Sequence, residues 1–472
     1  DYIVCFFLML VLYGISLCNI GACDSRYYVT ALLPMMYLIG YVIWGVLSNN
    51  TAVILKKLVM ALMAIKIFIF PCLVLLNGGL ESHSFGTNAY DYIPEAVLLQ
   101  ILQFSTVLFC LLALKWPYEI IDKKTIINNL AETDSHYSKK AWRTLFLCFA
   151  IVVTTIVCNP SFLYRYRPMF FLNTSSAIRW KQRTDTAMNS IPALIYYPIN
   201  WLISESRLAL AYMLIIRAYS SRIKWSENTR FILSIIAIVV TLLLFVPDDV
   251  ATSVYSALVL MFLLLILYPR KKSVIIRAAV LGCSIILLFA FVLSPFLSGD
   301  KLTTSSIAWK IEVYFGGYLN TSAAVGTNNL QRMYSKFDYI IGDFFRSLPI
   351  IRGFFVKMPM SNELFNESLA YDTIYNSQII PMEGQGFFYL WFPGAIIFAY
   401  LHMKILRNFY RNMMISKSTF SFYVFGILTL ILTFGLVMYG SFLNFSLILQ
   451  HIPLLLIIFL FVRRKNEGTN LS

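Results

Sequence analysis

Long runs of apolar residues, each close to the length of one bilayer crossing, alternate with short polar segments along the chain. A hydrocarbon core about 30 Å thick takes about 20 apolar residues of helix. Lipid offers no hydrogen-bond partners, so spanning segments must be helices or a closed barrel. The runs are continuous and do not alternate at every second residue, which predicts helices. They read as Tyr2–Ala22, Tyr27–Leu47, Leu58–Leu76, Ile93–Leu114, Thr144–Cys158 and Ile191–Arg217, then Phe231–Val246, Val250–Tyr268, Val274–Leu297, Gly386–Leu406, Phe420–Tyr439 and Phe445–Phe461. The sixth holds Pro192 and Pro198 in its first half, with Glu205 and Arg207 further along, and a broken helix or half-helix is expected there. The chain opens on Asp1 with no methionine, so a few residues are expected to precede it. The first run lacks a cleavable signal pattern and reads as a span.

The polar segments orient these spans. Lys56–Lys57, Lys115 to Arg143, Arg217 to Arg230, Pro269 to Arg277, Lys404 to Lys417 and Arg463–Lys465 all fall on one side of the alternation. The positive-inside rule makes that side cytoplasmic, with both termini on it. The net charge of +15 is therefore accounted for by loops, and nucleic acid is not an expected partner. The opposite side carries Asn77–Tyr92, Asn159–Ser190, Ser298–Gln385 and very short turns such as Pro247–Asp249. The expected architecture is an all-α polytopic membrane protein of about 12 transmembrane helices, forming a single domain over 1–472. It has a basic loop at 159–190 and a large loop at 298–385 with a helical lobe lying on the membrane.

Composition agrees: 59% of the 472 residues are hydrophobic and 13% charged, where a soluble domain carries about a quarter charged residues. Cys5, Cys72, Cys110, Cys148 and Cys283 sit inside apolar runs and 298–385 holds no cysteine, so free thiols are expected. The chain shows no internal repeat of the kind common in secondary transporters. It also lacks a P-loop, a dinucleotide fingerprint and any histidine spacing suited to a metal, and no cofactor is expected.

The densest chemistry lies in 159–190, where Arg165, Arg167, Arg179, Lys181 and Arg183 face a single acid, Asp185. Guanidinium groups grip phosphate or carboxylate in a bidentate manner, and membrane lipid or a polyprenyl diphosphate supplies such an anion. Snorkelling of arginines to head groups is the simpler alternative. The second loop offers Glu312, Tyr314, Arg332, Asp338, Asp343, Arg346, Arg352, Glu363, Glu367, Asp372 and Glu383. These are the carboxylates, cations and aromatic rings that hold sugars, although a solvated loop with cancelling charges has the same composition. Glu383 stands apart, just before the tenth run in Met382-Glu383-Gly384-Gln385-Gly386-Phe387, and is expected at the mouth of a cavity. Lys66, Glu205 and Arg207 fall inside spans, where ionisable groups are functional candidates. Lys66 could equally snorkel, and Glu205 lies on a different helical face from Arg207.

The plan resembles that of the Wzy-type polymerases of O-antigen and capsule repeat units, over nearly the whole length. Ile311-Glu312-Val313-Tyr314-Phe315-Gly316-Gly317-Tyr318 is similar to the aromatic-glycine stretch that opens their second periplasmic loop. The segment Met382 to Gly394 is similar to their acid–aromatic–glycine motif, although it ends in Phe392-Pro393-Gly394 where relatives often have Phe-Gly-x-x-Gly. The resemblance implies a GT-C-like glycosyltransferase of the bacterial inner membrane. Its substrate would be undecaprenyl-diphosphate-linked oligosaccharide, and a flippase and a chain-length regulator would be its partners. It implies catalytic roles for Glu383, Arg179 and Arg183, and substrate contacts from Arg165, Arg167, Lys181, Arg207, Tyr314 and Arg332. An O-antigen ligase, or a flippase for the same lipid-linked unit, are the alternatives.

Overall fold

The structure, a computed structural model, describes residues 2–48, 54–80, 90–117, 147, 150–168, 191–220, 225–246, 250–288, 303–329, 334–348, 351–369, 379–416 and 418–457. Seven helical stretches among them are long and apolar enough to cross a membrane: Tyr2–Ala22, Ser25–Leu47, Ile54–Leu76, Ile93–Ala113, Leu194–Ser220, Val250–Leu267 and Thr419–Met438. The chain is a multi-pass, helical membrane protein.

In chain order the helices are α1 (Tyr2–Cys18), α2 (Leu32–Leu47), α3 (Ile54–Met63), α4 (Phe70–Leu76), α5 (Ile93–Ala113), α6 (Ala193–Ser220), α7 (Glu227–Ile238), α8 (Val250–Leu267) and α9 (Lys272–Leu288). The second half continues with α10 (Thr304–Phe315), α11 (Tyr318–Gly326), α12 (Lys336–Arg346), α13 (Ser361–Leu369), α14 (Met382–Leu390), α15 (Phe392–Met414), α16 (Thr419–Met438), α17 (Ser441–Gln450) and α18 (Ile452–Ile457). A π-helical stretch, Ala64–Ile69, joins α3 to α4. Of the expected fifth run, a helix at 150–158 is described.

The breaks fall elsewhere than the sequence suggests. The sixth run is one continuous helix through Pro198. Pro192 lies just outside it and ends the preceding chain, and its carbonyl accepts from Ile195 and Tyr196 N–H, each at 2.9 Å. The tenth run, expected to be a single span, is instead two helices. α14 stops at Leu390, Trp391 takes φ 58° and ψ −151°, and α15 begins at Phe392 with Pro393 in its first turn. The two helices fold against each other at Gly386 and Gly394: a Cβ on Gly386 would lie 2.6 Å from the Gly394 carbonyl carbon. α15 then runs on to Met414, so Lys404, Arg407 and Arg411 ride on its last turns and not on a loop. The twelfth run divides at His451, again where a proline, Pro453, opens the next helix.

One buried core joins α2–α5 to α10, α11 and α15, and another joins α6–α8 to α16. The expected large loop is therefore only partly a lobe. α10 packs on α4, and α11 is buried along all nine residues against α5 and α14. α12 is amphipathic, burying Tyr339, Gly342 and Asp343 while exposing Phe337, Ile340 and Phe344. Among the basic segments, Lys56 Nζ lies 6.0 Å from the Trp116 ring centroid, Arg407 Nε donates to Lys115 O at 2.6 Å, and Arg270 pairs with Glu227 at 3.4 Å. Elsewhere a two-residue antiparallel pairing sets Arg167 opposite Val246 and Pro168 opposite Phe245.

Candidate functional site

Three charged side chains from distant parts of the sequence meet inside the bundle. Lys66, Glu312 and Glu383 are 1%, 0% and 0% exposed. Lys66 occupies the π-helical stretch of the third span, and its Nζ sits 2.7 Å from Glu383 Oε1. A π-turn adds one residue to the helical register and recurs at functional sites. Glu383, in the first turn of α14, is therefore enclosed and not at a cavity mouth.

Polar groups of α5 and α11 complete the shell of Glu383. Thr321 Oγ1 lies 2.9 Å from Glu383 Oε1 and 3.0 Å from Gly317 O, with one proton to donate. Gln100 Nε2 is 3.2 Å from Gly316 O, 3.3 Å from Thr321 Oγ1 and 3.4 Å from Glu383 Oε1. Gly316 takes φ +53° at the tight turn between α10 and α11, a conformation that costs glycine least.

Glu312, near the end of α10, turns back over this turn. Its Oε1 accepts from Asn320 N–H at 2.6 Å, while Asn320 Nδ2 donates to Glu312 O at 2.9 Å. The carboxylate thus caps the start of α11, where free N–H groups favour negative charge. A Cβ on Gly317 would collide with Glu312 Oε2, so glycine is required by this close approach. Burial pushes the Glu312 carboxyl up to about 8, with the Asn320 amide and Lys66 opposing and Glu383 adding to the rise. Among the described residues, Oε2 of Glu312 and Oε2 of Glu383 are both buried without a hydrogen-bond donor.

A second network fastens α12 and α13 to α14. Asp343 Oδ2 accepts from Ser361 Oγ at 2.5 Å, Tyr389 OH at 2.5 Å and Gln385 Nε2 at 3.2 Å, and Oδ1 accepts from Ser361 N–H at 3.1 Å. Gln385 Oε1 in turn accepts from Phe442 N–H at 3.2 Å, reaching α17. Burial raises the Asp343 carboxyl above its ordinary range, against the hydrogen bonds that favour its anion. Asp343→Ala removes the acceptor of four hydrogen bonds and is expected to cost about 2–3 kcal/mol. Thermal unfolding in detergent measures this, and Asp343→Asn should lose less.

The remaining expected site residues divide. Arg207 Nη2 donates to Ser253 Oγ at 2.7 Å, and its guanidinium lies 5.9 Å from the Tyr166 ring centroid. Glu205 pairs with His451, Nδ1 to Oε1 at 3.0 Å, and so with a different element from Arg207. Tyr314 is half-exposed on α10. Arg165 and Arg167 are described in their backbone only, closing a 3-10 turn and pairing with Val246 respectively. Arg179, Lys181, Arg183 and Arg332 lie outside the described residues. The structure therefore joins Glu383 to Lys66 and Glu312, and Arg207 to the start of the basic segment. Sequence reading left out Gln100 and Thr321, although a glutamine in the middle of an apolar run is a signal of its own. Comparison of the chain with protein-family models, curated proteins and solved structures gives no match.

Proposed function

We propose that the chain polymerises polyprenyl-diphosphate-linked oligosaccharide repeat units on the periplasmic face of the bacterial inner membrane, producing O-antigen or capsular polysaccharide. The observation that carries this reading is that segments from both loops pack against α6. The Arg352 guanidinium, from the second loop, lies 4.7 Å from the Tyr197 ring centroid. The Arg207 guanidinium faces Tyr166, at the start of the basic first loop. A donor diphosphate and an acceptor sugar must be held side by side, and one helix, α6, meets a cation of the second loop at Tyr197 and an aromatic ring of the first at Arg207.

In the proposed reaction the acceptor hydroxyl attacks the anomeric carbon of the growing glycan. The carbon–oxygen bond to the carrier breaks, polyprenyl diphosphate leaves with the electron pair, and the hydroxyl proton passes to a base. Arg165, Arg167, Arg179, Lys181 and Arg183 are assigned to the diphosphates, where fixed cations stabilise the departing charge. Arg207, Tyr314 and Arg332 are assigned to the sugars. Enclosed behind Lys66, Glu383 acts by holding α14 in place and not as the base. Twelve crossings with both termini cytoplasmic belong to the same proposal, supported by the basic segments falling on one side of the alternation.

A lipid-linked oligosaccharide flippase is the second reading, favoured by the buried Lys66–Glu383 pair beside a broken helix, a combination found in transporters. Deleting the gene separates the two. Under the polymerase reading the surface-glycan ladder collapses to a single repeat unit, and Arg179→Ala with Arg183→Ala reproduces that collapse. Loss of every band indicates the flippase, long unattached polymer on the carrier indicates a ligase, and an unchanged ladder refutes all three.

A further inference from the structure

The charges gathered around Lys66 do not balance. Two carboxyls and one ammonium, each at most 1% exposed, leave one negative charge in excess if all three ionise. In a medium of low dielectric an uncompensated buried charge is costly, and the usual outcome is uptake of a proton. We propose that Lys66, Glu312 and Glu383 form a proton-binding site, in which Glu312 carries one exchangeable proton beside the Lys66–Glu383 pair and the cluster is neutral at physiological pH. The inference goes beyond the glycosyltransferase reading and does not rest on it.

The geometry indicates where the proton rests. Glu383 Oε1 lies 2.7 Å from the ammonium of Lys66 as an ion pair, with Thr321 and Gln100 beside it, and is the better stabilised anion. Glu312 Oε1 is held by the Asn320 amide, and its Oε2 has no donor among the described residues. Protonating a buried carboxyl that lacks donors removes the cost of burying its charge. The other titratable groups facing Glu312 are Tyr318 on α11 and, beyond it, Tyr27 and Cys23, and none of these supplies positive charge. The upward displacement of Glu312 to about 8 agrees with the geometry: the proton is held below that pH and released above it. Release leaves two anions competing for Lys66 at the junction of α10, α11 and α14.

Infrared difference spectroscopy of the full chain in lipid vesicles tests the assignment. The wild type should show the carbonyl band of a protonated carboxylic acid that fades as the pH is raised through about 8. Glu312→Gln should lack that band. Glu383→Gln should lack it too, because Lys66 then faces one carboxylate and no proton is needed. If Glu312→Gln does not fold, the wild type and Glu383→Gln still decide. Asp343→Asn should keep the band. A purely structural helix cap at Glu312 gives no pH-dependent acid band in the wild type, and that result, or survival of the band in either glutamine variant, overturns the proposal.

Discussion

Replacing Lys66 by methionine should cost about 3–5 kcal/mol of stability, the range found when one partner of a buried ion pair is removed. The side-chain volume is nearly conserved, so the loss isolates charge from packing. Glu383 would keep its neighbours Thr321 and Gln100 but lose the only cation described beside it. Two carboxyls would then face each other with no counter-charge. Thermal unfolding of the detergent-solubilised protein at neutral pH reads the loss directly. The double variant Lys66→Met with Glu383→Gln should recover part of it, since the one carboxyl left, Glu312, is neutralised by a single proton, and the coupling between the sites is expected to be about 2–3 kcal/mol. A single variant as stable as the wild type would mean that solvent reaches the cluster.

A comparable effect is expected at the hairpin between α14 and α15. A Cβ on Gly394 would fall on the Gly386 carbonyl oxygen, and this obstacle is backbone that cannot rotate away. The turn is also pinned, because Trp391 N–H donates to Phe387 O and Gly394 N–H to Trp391 O, each at 2.9 Å. Gly394→Val must therefore push the helices apart, at an expected cost of about 3 kcal/mol or more. The displacement would carry Glu383 with it, since the residue sits one turn before Gly386 on the same short helix. The variant should thus lose both thermal stability and whatever function depends on the Lys66 pair. Gly14→Ala, where a Cβ meets nothing within 4 Å, is the control and should be neutral. Equal losses in both variants would show that the hairpin is not tightly packed.

Much of the fold was legible because a membrane allows few solutions. Continuous apolar runs gave the long helices, and each of the seven long spans lies on a run read from the sequence. The breaks were harder to read because composition does not report direction. Gly386–Leu406 is long and apolar enough to read as one span, yet its chain reverses at Trp391. The local signal was present in Pro393, which favours the first turn of a helix, and Pro453 marks the division at His451 in the same way.

The candidate site was legible one residue at a time. Lys66 stood out as a charge in an apolar run, and Glu383 as an acid at the head of another. Their meeting depends on how α14 folds back into the bundle, a long-range outcome that no local pattern encodes. Glu312 illustrates the same limit: among the acids of a polar loop it looked like its neighbours, and only enclosure by α4, α11 and α14 sets it apart. The basic segment at 169–190 was the most conspicuous chemistry in the sequence and lies outside the described residues.

The π-helical stretch makes chain length itself part of the site. Successive residues of an α-helix are turned by about 100° about its axis, and Ala64–Ile69 accommodates one residue more than α-helical winding allows. Deleting Ala64 or Ile65 would remove that extra residue and turn Lys66 about the helix axis relative to Leu55, Val59 and Met63, which hold the preceding turns in the core. Every side chain named in the cluster would survive such a deletion, yet the ammonium would face away from Glu383. The position of the lysine is specified by counting as much as by chemistry.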